Sequence, residues 1–413
     1  VEYLEFGPSV SQIRRNSAVQ QEWRLARLLL MKNYDVIVIG TGGVGSAACW
    51  QLARRGARVL GLDRFPPGHD RGSSHGETRI IRRAYFEHPD YVPLLQRAYS
   101  LWSELEQVSG DLLLTQTGLL QVGPRDGIVV AGVLHAAKRH ELEVELYTAT
   151  EAQRRFSGFV VPSSAVAVYE PGAGILAVEA CVRAHCRSAT NAGADLRSGV
   201  TVISWAESSS SVQVRTDQGD FQAEKLVIAP GAWASDLLGN CRLDVQVRRK
   251  HIYWFPAAGS EYQAIQGAPA FLYELPQGVF YGLPAVNARG LKCGEHSGGQ
   301  IVTDPLLDPR AEDPADAQRV QQFISDHLPG LSPQPQDRSV CFYTMSPDEH
   351  FLLDFHPESS RVVFAAGLSG HGFKFTSVLG EVLADWALQG ETRHPVDFLS
   401  LRRLAASTRA ALP

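Results

Sequence analysis

Near the start of the chain four apolar residues follow one another without a polar interruption: Val36, Ile37, Val38 and Ile39. A strand of that kind hides both faces, as strands of a parallel sheet between helical layers do. A glycine-rich turn, Gly40 to Gly45, leads into a helical stretch reaching Arg55. After Gly56 a second strand runs from Arg58 to Leu62 and ends at Asp63, which completes a βαβ opening. Between Tyr91 and Leu105 the apolar positions Tyr91, Leu94, Leu95, Ala98, Leu101, Trp102 and Leu105 keep helical spacing, so one face packs inward.

Farther along, Ser211–Thr216 and Phe221–Ala229 alternate or run apolar around Asp217, Gln218 and Gly219, which predicts paired strands about a turn. Residues 225–233 read as a strand followed by a tight turn, and Ser208 to Ser211 as a surface turn. The stretch 240–335, rich in proline and in aromatics such as Tyr253, Trp254, Phe255 and Tyr281, predicts antiparallel sheet with connecting loops.

A length of 413 residues exceeds one ordinary core of about 100–200 residues, so two interleaved domains are expected. The expected division assigns 31–115, 165–240 and 335–390 to a discontinuous cofactor domain. It assigns 116–164 and 241–334 to a substrate domain, and 391–413 to a C-terminal segment. Residues 1–30 precede Met31 and the first strand pattern. Trp23, Leu25, Leu28 and Leu29 there could make a short amphipathic helix, but a loosely packed extension is the expectation.

Composition narrows the function classes. With 44% hydrophobic and 20% charged residues the chain reads as an ordinary folded protein. A net charge of -5 without a basic run argues against nucleic acid or an anionic membrane as partner. No apolar stretch approaches a membrane span and no signal core opens the chain, so a cytoplasmic protein is expected. Six scattered cysteines without a CxxC pair argue against a disulfide framework or a zinc site, and no metal is expected.

Chemistry enters with the glycines. Gly40, Gly42 and Gly45 suit a turn that admits a pyrophosphate and packs its helix on the strand, and Asp63 is placed to accept ribose hydroxyls. The helix N-terminus would offer free N–H groups to the anion. This predicts a bound dinucleotide and leaves NAD and FAD open.

Residues Arg71–Arg82 (Arg-Gly-Ser-Ser-His-Gly-Glu-Thr-Arg-Ile-Ile-Arg) carry a further pattern. So do Tyr281–Pro284, Gly290–His296, Cys341–Thr344 with Pro347, Asp348 and Glu349, and Gly367–Lys374. In order and spacing these segments resemble the monomeric sarcosine oxidase and N-methyltryptophan oxidase family across about residues 31–404. Ser74, Arg83 and Cys293 depart from the family's usual residues, which bears on substrate choice more than on chemistry. The resemblance implies a Rossmann-type FAD-binding domain (α/β) with a sheet-based, α+β substrate domain, and it favours FAD over NAD.

The same resemblance implies roles. Cys341 would link the FAD covalently, although a buried cysteine is by type more often inert. Arg82 and Lys374 would clamp the substrate carboxylate, the alternative being two surface charges. Arg79 would lie close to the flavin face, or else form a structural ion pair. Lys292 would activate oxygen, because a fixed cation stabilises developing superoxide. His296 would sit near the substrate amine, and Tyr281 and Tyr343 would line the pocket; a lone histidine or tyrosine is otherwise often structural. His75, Thr78, Gly370 and Gly372 would contact the cofactor.

The implied reaction oxidises a secondary amino acid by hydride transfer to FAD, with imine hydrolysis and release of hydrogen peroxide, in a monomer. A flavin dehydrogenase using another acceptor and a non-catalytic flavin-binding redox sensor are the alternatives. Sarcosine, N-methyltryptophan, pipecolate and proline all present the required amine and carboxylate, and the sequence does not choose among them.

Overall fold

The computed structural model describes residues 34–404, except 242 and 258; the N-terminal segment 1–30 lies outside the described residues. Val36–Ile39 form the middle of a parallel sheet. The strand Tyr34–Ile39 pairs with Val59–Asp63 on one side and with Gly219–Ile228 on the other, and the parallel run continues to Asp195–Ser198 and to Ser359–Ala366 at its two ends. Val36, Ile37, Val38 and Ile39 are all buried, as the unbroken apolar run requires. Val212–Thr216 pairs antiparallel with the first half of Gly219–Ile228, and Val202–Glu207 adds an outer strand.

The helix Gly43–Ala53 lies on one face of this sheet, and its eleven residues are all buried. It is covered in turn by Thr376–Gln389, whose Gly380 permits the approach: a Cβ there would come within 2.6 Å of Ala47. The expected helix near Tyr91–Leu105 spans Val92–Ser109 and buries Leu94, Leu95, Ala98, Leu101, Trp102 and Leu105 in the same core.

A second sheet is largely antiparallel. Its neighbouring strands run Gln300–Val302, Gln246–Phe255, Leu291–Glu295, Gly278–Leu283, Ala270–Leu275, Leu119–Gly123, Val166–Glu170 and Glu145–Thr148. Only Ala270–Leu275 and Leu119–Gly123 are paired parallel. The helix Pro314–His327, not foreseen in the stretch 240–335, packs Val320, Phe323 and Ile324 beside Tyr273 and Phe280. Asp313 caps it by accepting from the N–H groups of Ala315 and Asp316.

Two strands from the segments expected in the cofactor domain pair outside its sheet. Val166–Glu170 and Asp337–Met345, assigned above to the cofactor domain, are hydrogen-bonded into this second sheet. The reason for the latter is a nine-residue antiparallel register against Gln246–Phe255, which no local pattern announces. A small third sheet, Thr78–Ile81 with Gly174–Ala177 and Leu114–Thr115, lies between the two larger ones in the chain's connectivity. Among the described residues no helix is long and apolar enough to cross a membrane.

Candidate active site

The turn after the first strand is built on two close approaches. Gly40 has φ +84°, and a Cβ there would meet the Ala229 carbonyl at 2.4 Å; a Cβ on Gly45 would meet the Gly40 carbonyl oxygen at 1.7 Å. Neither position tolerates a side chain. Gly42 differs, because a Cβ there would find nothing nearer than Ser74 Oγ at 3.9 Å. It faces a cleft and brings no side chain of its own to the N-terminus of the helix that follows, where Ser74 Oγ accepts the Gly43 N–H at 3.2 Å. Asp63 Oδ2 accepts the Thr41 N–H at 2.6 Å, which fastens the turn to the end of the second strand, and Asp63 also lines the cleft.

This larger cleft, about 1320 Å³ with its open mouth, runs past Ser73, Ser74, Arg79, Trp233, Phe342, Tyr343, Thr344, Gly370 and Gly372. Trp233 Nε1, Thr344 Oγ1 and Thr376 Oγ1 are buried in its lining without a protein partner. Buried polar atoms are nearly always satisfied, so a cleft that strands three of them is matched to a ligand rich in oxygen and nitrogen. A dinucleotide fits that donor set.

The segment Arg71–Arg82 forms one wall. Gly76 (φ +87°) and Glu77 (φ +73°) both adopt left-handed backbone, and Glu179 accepts the N–H of Gly76 at 2.7 Å and of Glu77 at 3.1 Å. From the opposite side Lys292 Nζ donates to the Gly76 carbonyl at 2.9 Å and to the Thr78 carbonyl. Lys292 is 1% exposed, and desolvation, then the neighbouring Arg79, pushes its pKa well down. His75 is buried with Nε2 unpartnered; burial and Arg79 bring it down to about 4. Arg79 donates to the carbonyls of Thr78 (2.9 Å) and Ser73 (3.1 Å), so its protein partners there are carbonyls and not a carboxylate.

A smaller cleft of about 560 Å³ opens beyond Arg79. It gathers Arg82, Glu87, Tyr281, His296, Tyr343, His371 and Lys374, with Ile80, Phe86, Leu272, Leu283 and Phe373 as apolar walls. Arg82 and Lys374 are buried, at 3% and 5% exposure, which excludes the surface-charge alternative. Arg82 Nη2 lies 2.7 Å from both oxygens of Glu87. Burial alone would raise the Glu87 pKa, but the Arg82 charge, with His371 and Lys374, holds it down at about 2. Lys374 Nζ donates to the His371 carbonyl at 2.7 Å, and desolvation followed by Arg82 lowers its pKa to about 7. His296 Nδ1 is 3.4 Å from the Tyr343 hydroxyl, and burial, then His371, brings its pKa to about 3, so the ring is neutral. Burial raises both Tyr281 and Tyr343.

The two clefts meet. Arg79, Tyr343, Gly370 and Phe373 line both. Gly370 has φ +78°, and a Cβ on it would strike the Tyr343 ring at 2.3 Å, so the glycine lets that ring close the junction. Gly372 is tight against Leu368 in the same way, at 2.5 Å. Cys341 is 1% exposed in the strand Asp337–Met345, packed with Ile252, Trp254 and Tyr343, and its neighbours Phe342 and Tyr343 line the larger cleft.

The sequence model of the family described as FAD dependent oxidoreductase matches residues 35–386. The chain belongs to that family. Among individual relatives of this FAD-dependent oxidoreductase, monomeric sarcosine oxidase of Bacillus sp. (strain B-0618) is 41% identical over 377 residues, 90% of this chain and 97% of that protein. N-methyl-L-tryptophan oxidase of Yersinia pestis (strain Pestoides F) is 37% identical, covering 90% of this chain and 99% of that one. Of solved structures, NikD, an unusual amino acid oxidase essential for nikkomycin biosynthesis, superposes with TM-score 0.79 at 28% identity over 89% of this chain and 97% of its own. L-proline dehydrogenase from P. horikoshii shares the fold with the same TM-score, 0.79, at 21% identity over 92% of this chain and 99% of its own.

The residues singled out in the sequence fall into four places. Gly40, Gly42, Asp63 and Gly372 line the larger cleft only; Arg79, Tyr343 and Gly370 lie at the junction; Arg82, Tyr281, His296 and Lys374 line the smaller one. Gly45, His75, Thr78, Lys292 and Cys341 stand behind the walls. Sequence reasoning missed Glu87, His371 and Glu179. An acidic residue five positions after Arg82 was a signal for Glu87; Glu179 gave none, because its role is to accept backbone N–H groups far away in sequence.

Proposed function

We propose that this FAD-dependent oxidoreductase oxidises a secondary amino acid of the N-methyl type with oxygen, releasing hydrogen peroxide. The observation that carries the reading is the junction at Arg79 and Tyr343, where a dinucleotide cleft meets a small cleft with two buried cations and apolar walls. The sarcosine and N-methyltryptophan oxidases among the relatives support the substrate class.

FAD, when bound, accepts two electrons from the substrate's carbon–nitrogen unit and passes them to oxygen. Gly40, Gly42 and Asp63 would hold its pyrophosphate and ribose on the turn that Gly45 lets close, Trp233, Thr344 and Thr376 would satisfy polar edges, and Cys341, behind the wall, would attach it covalently. Arg82 and Lys374 bind the substrate carboxylate, the first as a planar fork and the second as a point charge. The incoming carboxylate competes with Glu87 for Arg82. Their positive field, with that of Arg79, disfavours a substrate ammonium, so the amine loses its proton on binding. Neutral His296 and the Tyr343 hydroxyl, in contact with each other, can relay that proton onward. Lys292 supplies the positive field for oxygen reduction. The product imine hydrolyses in water, giving formaldehyde and the demethylated amino acid when the substrate is N-methylated. We take the protein as a cytoplasmic monomer, as the sarcosine oxidase relatives are named monomeric.

The test is peroxide release and oxygen uptake by the purified yellow protein with sarcosine, N-methyltryptophan, pipecolate and proline, beside anaerobic bleaching. Peroxide with one of them supports the oxidase. Bleaching without oxygen uptake points to a dehydrogenase, and no bleaching with any of the four removes the substrate assignment.

A further inference from the structure

The two cations of the smaller cleft share one aromatic platform. The Arg82 guanidinium carbon lies 4.6 Å from the Tyr85 ring centroid and 4.5 Å from that of Phe86. Lys374 Nζ lies 5.2 Å from the same Tyr85 centroid. Two like charges drawn to one site repel each other, and an aromatic ring within reach of both offsets part of that repulsion. Tyr85 does not line the cleft; it is fully buried beneath it.

The ring is fixed at its polar end and at its edges. The Tyr85 hydroxyl is 2.5 Å from His371 Nδ1, while His371 Nε2 is 3.0 Å from the Glu349 carbonyl. A carbonyl only accepts, so a neutral His371 carries its proton on Nε2, and Nδ1 must accept from the tyrosine. Burial keeps the imidazole neutral. Tyr91 and Phe375 meet the Tyr85 ring edge-on, each at 5.2 Å between centroids. The same His371 gives its carbonyl to Lys374 Nζ. One histidine therefore sets both the plane of the platform and the position of one of the cations above it.

We infer that Tyr85, locked by His371, is a positioning residue for the substrate carboxylate: its ring holds Arg82 and Lys374 together so that one carboxylate can span both. This rests on the assignment of those two cations as the carboxylate site. Tyr85 acts through them and touches no substrate.

The experiment titrates wild-type, Tyr85→Phe and Tyr85→Leu holoenzymes with methoxyacetate, which has the carboxylate and shape of N-methylglycine without its amine, and follows flavin absorbance. Steady-state kinetics with sarcosine run alongside. Tyr85→Phe keeps the ring and loses its anchor, so the dissociation constant should rise about threefold; Tyr85→Leu loses both and should raise it about thirtyfold or more. KM should follow these changes while kcat falls by less than about threefold, a split that general loosening of the fold would not produce. Equal affinity in all three proteins overturns the inference and leaves the oxidase reading intact. A wild type that oxidises no N-methyl amino acid, yet binds methoxyacetate in a Tyr85-dependent way, removes the oxidase reading and upholds the platform. If wild type does not bind methoxyacetate, the platform falls with the carboxylate site, and peroxide release decides the oxidase reading separately. Should the leucine variant not fold, the phenylalanine variant decides alone: a rise of about threefold supports the platform, and unchanged affinity overturns it.

Discussion

Replacing Glu87 by glutamine should weaken the fold and strengthen substrate binding at once. Glu87 is the carboxylate that faces Arg82 in the free protein, and its pKa falls from the ordinary 4.5 to about 2. At about 1.4 kcal/mol per pKa unit this corresponds to roughly 3 kcal/mol of folding free energy held by the ionised group. The folded-state pKa is depressed, so the contribution is complete above about pH 4.5 and is lost as pH falls toward 2. Glu87→Gln should therefore lower stability by about 3 kcal/mol at pH 7, since a buried Arg82 loses its counter-charge, and the gap to wild type should close in acid. Substrate carboxylate no longer has to displace Glu87, so methoxyacetate should bind about tenfold more tightly at pH 6, glutamine still accepting one hydrogen bond from Arg82. The gain should fade above pH 7, because Glu87 is also a charge that keeps the proton on Lys374. Denaturant unfolding of the holoenzyme at pH 7 and pH 3, with flavin-monitored titration, reads both arms. A variant as stable as wild type with unchanged carboxylate affinity would refute the competition between Glu87 and substrate.

Other outcomes follow from the same geometry. Lys374 titrates near 7, and only its charged form attracts a carboxylate, so the dissociation constant for methoxyacetate should rise as pH passes from 6 to 9; Lys374→Gln should bind weakly throughout and flatten that profile. Lys292→Met should leave anaerobic reduction by substrate nearly intact and slow reoxidation by oxygen at least a hundredfold, seen by stopped flow; it should also cost about 1–3 kcal/mol by stranding the Gly76 and Thr78 carbonyls. Cys341→Ser should release its flavin into the supernatant on acid precipitation while wild type retains it. Gly40→Ala, with its Cβ against the Ala229 carbonyl, should yield protein depleted of flavin and less stable by thermal melt, whereas Gly42→Ala, open to the cleft, should fold and lose only cofactor affinity.

The opening βαβ unit is legible because its cause is local: Val36–Ile39 form an unbroken apolar run suited to a strand covered on both faces, and Gly40 and Gly45 stand where a Cβ would collide with backbone. The strand Asp337–Met345 is not legible as part of the second sheet, since its partner Gln246–Phe255 lies about ninety residues away and pairing, not pattern, decides its place. The helix Pro314–His327 did leave a trace, an Asp-Pro start followed by Val320, Phe323, Ile324 and His327 at helical spacing, hidden within an aromatic-rich stretch that reads as sheet. In the site, the cationic residues stand in recognisable motifs, whereas Glu87, Tyr85 and His371 matter through what they neutralise, support or lock. Such roles exist only once the chain has brought residues 85 and 371 together.

The turn at Gly76 and Glu77 is gripped from two directions, its N–H groups by Glu179 on the helix Val178–Asn191 and the carbonyls of Gly76 and Thr78 by Lys292 on the second sheet. A peptide fastened at once to both halves of the molecule acts as a weld. Parting the two halves along this seam would first have to break the hydrogen bonds of Glu179 or those of Lys292. The amides of Gly76 and Glu77 should accordingly exchange with deuterium only as the whole protein unfolds.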